Sequence, residues 1–396
     1  MQYTALSCHA AVVAAGLLLS ACAGETDVGG FETPTAEGVF KDANVAGLSY
    51  RSGKQEGETT ASGRFRYEVG RDVTFHLGDL VIGTAPGQAV VTPLDFVQNG
   101  SSSTVAVLNR VRLLMLLDED ANPANGMQIS VPLRDRAEST PSIWKPVDFA
   151  VTNDEDLNAE LTLIMFDLIS TLGRMPRSLE TEITAAVARS HLENTLRCVR
   201  AGGFRGTLAG GDSGKFGMVV DAATGEVRGY AVRNGSSTRI DLDGVQAVSL
   251  NQDAFFSSND PVTGATFTGS LSGPDEIFGQ WQYATLQQPS GTFLGARVGG
   301  AGNAVYRFTA TYQGNADAGL YTFDINAANN VSGFAYSVQN DSLTPLTGTL
   351  HNNITLFANS TAPTINITAD VSLATGTLSG GDNLGNTLIG SGCRLN

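Results

Sequence analysis

The sequence predicts a mainly β fold made of a small antiparallel β-sandwich, a short helical subdomain and a duplicated antiparallel β-meander or barrel region. Three observations support this fold class. Gly accounts for 46 of the 396 residues and charged residues for only 16%, which is typical of strands joined by tight turns rather than of coiled coils. Apolar and polar residues alternate between Gly-bearing turns over residues 38–100. A pattern of roughly one hundred residues occurs twice in 201–396.

An apolar segment near the amino terminus indicates export. Ala10 to Leu19 is too short to span a bilayer, which takes about 20 residues, and it matches the apolar core of a secretory signal peptide. It leads into Leu19-Ser20-Ala21-Cys22, which resembles the lipobox of bacterial lipoproteins. The resemblance implies a signal peptide over residues 1–21 and a lipid on Cys22. Because no Asp follows the Cys, it also implies an outer-membrane anchor, with the chain facing the periplasm or the cell surface.

Two further features belong to this amino-terminal region. Residues 1–9 contain no Lys or Arg, unlike most signal peptides, and an ordinary signal peptide cleaved after Ala21 is the alternative to lipidation. Residues 22–37 are small, acidic and contain Gly and Pro, so we expect them to form a flexible tether.

The cysteines predict one disulfide in the exported part of the chain. Of the four Cys, Cys8 lies in the leader and Cys22 is the lipid candidate, which leaves Cys198 and Cys393. In an oxidising compartment we expect this pair to form a bridge. Two free thiols or a mixed disulfide are the alternatives.

Residues 38–100 predict the small sandwich. The spacing V-x-G-x-x-Y, followed by G-x-T-x-x-x-G-x-F-x-Y, resembles the transthyretin-like repeats of surface proteins and of carboxypeptidase accessory domains. It is carried by Val45, Gly47, Tyr50, Gly57, Thr59, Gly63, Phe65 and Tyr67. Such modules serve as spacers or accessory domains, so the resemblance implies no catalysis.

Residues 101–200 predict a helical subdomain packed on the sandwich. Thr104 to Leu117 has apolar residues at helical spacing, with Asn109, Arg110 and Arg112 outside the apolar stripe, and Ser103 or Thr104 can cap it. Two more amphipathic stretches run from Leu157 to Leu172 and from Leu179 to Leu196. Their polar faces are not basic, which argues against membrane-surface helices.

Residues 201–299 and 300–396 predict two β repeats of about eight strands each. Ser213 to Val232 corresponds to Ala318 to Val338, because both contain Val-x-Gly-aromatic-Ala after a strand and a turn. The repeats are weakly similar to the barrel lobes of transferrin-binding-protein-like lipoproteins, in which F-x-G and G-x-F-x-G-x-R strands recur. That similarity concerns the fold alone, and either two barrels or one sheet system fits the pattern.

One loop is a candidate calcium site. Asp118, Asp120 and Asn122 place side-chain oxygens at positions 1, 3 and 5, as in an EF-hand loop, and Asn125 follows. The loop departs from that pattern, because Gly126 stands at position 9 rather than 6 and Ile129 replaces the Glu at position 12. The alternative is an Asx-rich loop that ends a helix. Calcium is the only cofactor that the sequence suggests.

No set of residues predicts catalysis. Ser213 lies in a Gly-Asp-Ser-Gly turn without a His and an acid in the pattern of serine proteases, and we expect it to be a turn residue. The net charge of −15 argues against nucleic acid as a partner, since phosphate binding needs a basic face. We therefore expect a non-enzymatic protein.

The expected function is that of a membrane-anchored cell-envelope lipoprotein acting as a binding, adhesion or scaffolding module. Its expected partners are the membrane, through the lipid, and an envelope protein, a glycan or a small ligand. One alternative is a β-barrel carrier of a small ligand, which an empty apolar lumen would favour. A second alternative is a hydrolase, which convergent carboxylates in a cleft would favour.

Overall fold

The computed structural model describes residues 33–171, 173–235, 239–242, 247–260, 264–273, 275–284, 289–300, 303–314 and 317–395. The predicted signal peptide, the lipobox with Cys22 and residues 22–32 of the predicted tether lie outside the described residues. From Pro34 onward the chain belongs to one compact unit. The predicted fold class is confirmed: the chain is mainly β and contains two eight-stranded barrel sheets.

The first part of this unit is a sandwich of two sheets. Its strands are β1 (Thr35–Phe40), β2 (Val45–Ala46), β3 (Ser49–Ser52), β4 (Gln55–Glu58), β5 (Arg64–Glu68), β6 (Asp72–Leu77), β7 (Leu80–Pro86) and β8 (Val90–Val91). One sheet has the order β5-β1-β8 and the other β4-β3-β6-β7. Phe40, Phe65 and Phe75 are buried between them, with ring centroids 4.8 and 5.1 Å from that of Phe75.

Two details differ from the sequence predictions. Strand β1 begins at Thr35, inside the predicted tether, because Ala36 and Glu37 pair with Tyr67 and Arg66 of β5. The sandwich is also not wholly antiparallel, since β8 pairs with β1 in parallel. The segment from β1 to β8 is long enough to bring the chain back to the opposite end of the sheet, which a parallel pair requires.

The helical subdomain follows the sandwich. Its elements are α1 (Val105–Leu117), β9 (Met127–Gln128), α2 (Val131–Ser139), α3 (Asp154–Ser170) and α4 (Ala185–Arg200). Strand β9 pairs with β2 and so connects the subdomain to the sandwich. Asn153 caps α3 and Thr184 caps α4, each by accepting a bond from a backbone N–H of the first turn. In the described part of the chain no helix combines the length and the apolar character needed to cross a membrane.

Helix α1 lies at the centre of this subdomain. It is buried on almost every side, including Asn109 and Arg112, which the sequence had placed outside the apolar stripe. Those two side chains are buried because they bind backbone carbonyls of neighbouring loops. The third predicted helix begins at Ala185 rather than at Leu179, since residues 179–184 form turns that present two of these carbonyls to Arg112.

Two eight-stranded barrels complete the chain. The first barrel consists of β10 (Gly202–Gly210), β11 (Gly214–Val220), β12 (Val227–Arg233), β13 (Arg239–Asp241), β14 (Phe255–Asn259), β15 (Thr266–Ser272), β16 (Glu276–Gln282) and β17 (Ser290–Val298). Its sheet has the order β13-β12-β11-β10-β17-β16-β15-β14. The second barrel is closed and consists of β18 (Ala304–Gln313), β19 (Ala318–Asn326), β20 (Asn330–Ser337), β21 (Ser342–His351), β22 (Thr355–Thr361), β23 (Thr364–Ser372), β24 (Thr377–Asp382) and β25 (Thr387–Arg394).

The barrels pack against each other through their first strands. Val219 and Tyr230 of the first barrel form one buried apolar cluster with Leu320 and Tyr336 of the second. Strand β19 is buried on both faces for this reason, since one face lines the lumen and the other meets the first barrel. Buried apolar side chains pack inside both barrels, among them Phe216, Phe256, Phe267 and Phe293 in the first barrel and Phe308 and Phe323 in the second.

Candidate functional site

A cavity of about 390 Å³ lies where the sandwich, the helical subdomain and both barrels meet. We call it the junction cavity. The end of β1, the Pro123–Asn125 loop, helix α4 and strands β17, β18 and β25 all contribute to its wall. Cavities of this size at domain junctions are the usual place for a small ligand, which takes about 300–1,000 Å³.

Lys41 enters the cavity from the end of β1. Its Nζ donates to Asn44 Oδ1 and, over 2.5 Å, to the backbone carbonyl of Leu395. Burial, and next the positive charge of Arg64, lowers the pKa of Lys41 to about 8. Burial therefore destabilises the charged form of the Lys41 side chain, and a bound anion would stabilise that form.

Two arginines enter from the two barrels. Arg297 of β17 donates from Nε to Asp275 Oδ1 over 3.2 Å, donates from Nη2 to the Val199 carbonyl over 3.2 Å, and lies over the Phe204 ring. Arg307 of β18 donates to Asp324 Oδ1 over 2.7 Å.

Burial, and next the charge of Arg307, lowers the pKa of Arg297 to about 10. The positive charge of Arg307 thus disfavours the charged form of Arg297 across the junction.

Beneath the cavity, helix α4 contacts the sandwich through an ion pair. His191 Nε2 lies 3.1 Å from Oδ1 of Asp42, which is fully buried. Burial lowers the pKa of His191, but the attraction of Asp42 outweighs it, so the net pKa lies above the usual value of 6.5. The pair is therefore a charged contact over part of the neutral pH range.

The cavity is positively charged in an acidic protein. Among the described residues that line it, four cations, Lys41, Arg297, Arg307 and Arg394, stand against one carboxylate, Asp275. Arg297 and Arg307 are paired with Asp275 and Asp324, whereas within the described part of the chain no ion pair joins Lys41 or Arg394 to a carboxylate. The chain as a whole carries a net charge of −15. The arrangement is suited to binding a small anion, which would contact ammonium and guanidinium donors together.

The predicted disulfide is confirmed and borders this cavity. Cys198 of α4 is bonded to Cys393 of β25. The bridge holds the strand that carries Arg394 against the helix that carries His191. The sequence predicts the disulfide, because an exported chain enters an oxidising compartment, but it does not predict the cations of the cavity. No local pattern marks Lys41, Arg297 and Arg307 as neighbours, because only the packing of the barrels and the sandwich brings them together.

The predicted calcium loop is closed by its own hydrogen bonds. Asp120 accepts from the Asn122 N–H over 2.9 Å and from Asn125 Nδ2 over 2.7 Å. Asp118 ends α1, is buried, and accepts from the Gln128 N–H, and its burial raises the pKa of its carboxyl. The described residues contain no group of three His, Cys, Asp or Glu side chains arranged to hold a metal. Calcium binding at this loop stays a prediction.

The second barrel has a cavity of about 450 Å³ at one end, lined by both polar and apolar side chains. Tyr312 donates to Asp317 over 2.9 Å and Tyr321 donates to Asp382 over 2.7 Å. Ser337 also donates to Asp317. These side chains largely satisfy one another, so they fix the turns at this end of the barrel.

Ser213 has the turn position that the sequence predicts. It lies in the turn between β10 and β11, where its hydroxyl accepts from Asn234 Nδ2 over 3.0 Å and its carbonyl accepts from the Asn234 N–H. These contacts join it to the neighbouring hairpin turn.

Comparison with known proteins does not show a family for this chain. No protein-family model matches the chain, and no curated protein matches it. A crystal structure of a mutant of the vaccine antigen Transferrin Binding Protein B from Haemophilus parasuis Hp5 is 9% identical over 48% of this chain and 75% of that chain, with a TM-score of 0.16. A protein of unknown function from the DUF3598 family of Nostoc punctiforme PCC 73102 is 9% identical over 51% of this chain and 98% of that chain, with a TM-score of 0.19. At these scores neither likeness carries an argument about function.

Proposed function

We propose that this chain is a non-enzymatic binding protein of the cell envelope, anchored in the outer membrane by lipid on Cys22, whose junction cavity takes a small anionic ligand. The observation that carries the proposal is the position of Lys41 and Arg394, which are in no ion pair with a carboxylate of the described residues, beside two ion-paired arginines around a 390 Å³ cavity in a chain of net charge −15. An adhesion or scaffolding role is the broader form of the same proposal, because the filled barrels and the sandwich form a rigid support for such a site.

The two other functions have less support. A carrier of apolar cargo would need an empty apolar lumen, whereas buried apolar side chains pack inside both barrels, and Asp317 and the hydroxyls of Tyr312 and Tyr321 line part of the cavity at the end of the second one. A hydrolase acting through paired carboxylates would need two acids facing each other, whereas Asp275 is the one carboxylate among the described residues of the junction cavity.

The ligand proposal is tested by titration calorimetry of the soluble chain from residue 33 with citrate and with inorganic phosphate at low ionic strength. We expect binding tighter than about 1 mM that weakens as salt is added. Lys41→Met and Arg394→Met should each weaken it by about tenfold or more. Lys145→Met, which removes an exposed ammonium on a distant loop, is the matched control and should change nothing. Absence of heat with both anions, or equal weakening by Lys145→Met, would contradict the proposal.

The lipid anchor has a separate test. Cys22→Ala should move the protein from the membrane fraction to the soluble fraction, because a diacylated and N-acylated Cys is a stable anchor and the bare chain has none. Cys8→Ala is the matched control and should leave the protein in the membrane. Membrane retention of the Cys22→Ala variant would refute the anchor without affecting the cavity.

A further inference from the structure

The outer face of the first barrel carries an uncharged grid of side chains on β14 to β17. The strand registers align these side chains in rows across the strands, and alternate residues of each strand point outward. One row consists of Thr268, Gln280 and Thr292. The next row consists of Thr266, Gln282 and Ser290. Together the two rows line a shallow groove of about 470 Å³.

An apolar row lies beside these two polar rows. This row crosses four neighbouring strands in the order Phe255 (β14), Ser270 (β15), Phe278 (β16) and Leu294 (β17). Its three apolar members are Phe255, Phe278 and Leu294. The side chains of Phe278, Leu294 and Phe255 are 44, 61 and 49% exposed, respectively. Their alignment in one row beside polar rows forms an exposed apolar patch with a polar rim, which is typical of an interaction surface.

The chemistry of the grid selects its partner. Side-chain amides and hydroxyls both donate and accept hydrogen bonds, and they match the hydroxyl groups of a sugar. Exposed Phe rings pack on the apolar C–H faces of sugar rings. None of the ten named positions of the three rows is charged, so the face offers nothing to a phosphate, an acidic polymer or an anionic membrane. Glu276 lies in the row after the apolar one and places a negative charge at that edge of the face.

The second barrel repeats the pattern on the corresponding strands. Phe357 and Asn359 of β22 lie opposite Thr368 and Asn366 of β23, and all four point outward and are exposed. As on the first barrel, an acidic residue, Asp370, stands in the following row. Two such faces on one chain would hold a long polymer more tightly than either face alone.

We propose that the outer face of β14 to β17 binds a neutral polysaccharide chain. The proposal is independent of the junction cavity, since none of the ten residues of the three rows lines that cavity. The polymer lies over the two polar rows, with sugar rings packed on Phe255 and Phe278.

The test is affinity electrophoresis of the soluble chain in native gels that contain laminarin, xyloglucan or dextran, with alginate and dextran sulfate as charged counterparts. We expect at least one neutral polymer to retard the protein and the charged polymers to have no effect. The Phe255→Ala/Phe278→Ala double variant should weaken retardation by about tenfold.

Two matched controls separate this face from other surfaces. Phe166→Ala removes an exposed ring on α3, 66% exposed, and should leave retardation unchanged. Lys41→Met should also leave it unchanged, even if that variant no longer binds citrate. Circular dichroism verifies that each variant is folded. Retardation by charged polymers alone, no retardation by any neutral polymer, or equal loss in Phe166→Ala would overturn the proposal.

Discussion

At the residue scale, the pair of His191 and Asp42 makes stability depend on pH. The carboxylate of Asp42 is fully buried and the imidazole of His191 is nearly so. The pKa of His191 is raised in the folded chain, because the attraction of Asp42 exceeds the cost of burial. Its contribution to stability is therefore fully present below the unfolded pKa of about 6.5 and is lost as the pH rises through the higher folded pKa.

We predict that His191→Gln removes this dependence. At about pH 6 the variant should be less stable than the wild type by about 3–5 kcal/mol, because it leaves the buried Asp42 carboxylate without a positive partner. The difference should shrink towards about pH 9, as the wild-type imidazole loses its proton. Urea denaturation at both pH values measures it. His351→Gln, at an exposed strand end, is the control, and parallel curves for His191→Gln and the wild type would contradict the prediction.

At the element scale, Arg112 connects helix α1 to the turns before α4. Its side chain is buried and donates to the carbonyls of Ile183 over 2.8 Å and Leu179 over 2.7 Å, and it pairs with Asp154 over 2.8 Å. Removing this buried arginine should lower the stability of the fold, because each carbonyl that it binds would then lack a hydrogen-bond donor.

Arg112→Met should destabilise the chain by about 3 kcal/mol or more, because two buried carbonyls lose their donors and methionine cannot replace them. The matched control is Arg189→Met, which removes an exposed guanidinium from α4 and should cost less than about 0.5 kcal/mol. Urea denaturation of both variants measures the difference. Equal stabilities for the two would show that the turns do not depend on Arg112.

The helices and strands differ in how far the sequence predicts them. The apolar spacing of Thr104 to Leu117 predicts α1 to within one residue, but it places Arg112 on a polar face that does not exist in the folded chain. Spacing reports the pattern within one element, whereas Arg112 is buried by partners about seventy residues away. Strand β19 shows the same limit, since its outer face is covered by the other barrel and its alternation gives no sign of this.

The candidate site shows that limit more strongly. The repeat in the sequence predicts corresponding strands in the two barrels, and Cys198 and Cys393 predict the bridge beside the cavity. The cavity itself depends on how the barrels pack on the sandwich. Lys41 and Arg307 have no shared motif, so their proximity follows from tertiary packing alone.

At the scale of the whole molecule, an apolar contact joins the two barrels. Leu320 is fully buried and points away from the lumen of its own barrel into the cluster with Val219 and Tyr230. Leu320→Ala should cost about 2–5 kcal/mol, because it leaves a cavity between two rigid sheets that cannot close over it. Ile389→Ala, on an outer face where the side chain is 64% exposed, is the control and should be nearly neutral. Similar urea midpoints for the two variants would indicate that the barrels do not rely on this contact.

The disulfide closes a long loop and joins the helical subdomain to the end of the second barrel. Cys198 and Cys393 are 195 residues apart, so their bond restricts the unfolded chain strongly, and its loss should cost about 2–5 kcal/mol. The Cys198→Ser/Cys393→Ser variant should show this loss in urea and should also bind citrate less tightly, since Arg394 is then held less firmly beside the cavity. Wild-type protein treated with a reductant should behave in the same way, whereas the same reductant should leave the double variant unchanged. If the variant were as stable as the oxidised wild type, packing alone would hold the carboxyl-terminal strand, and the bridge would have no part in shaping the cavity.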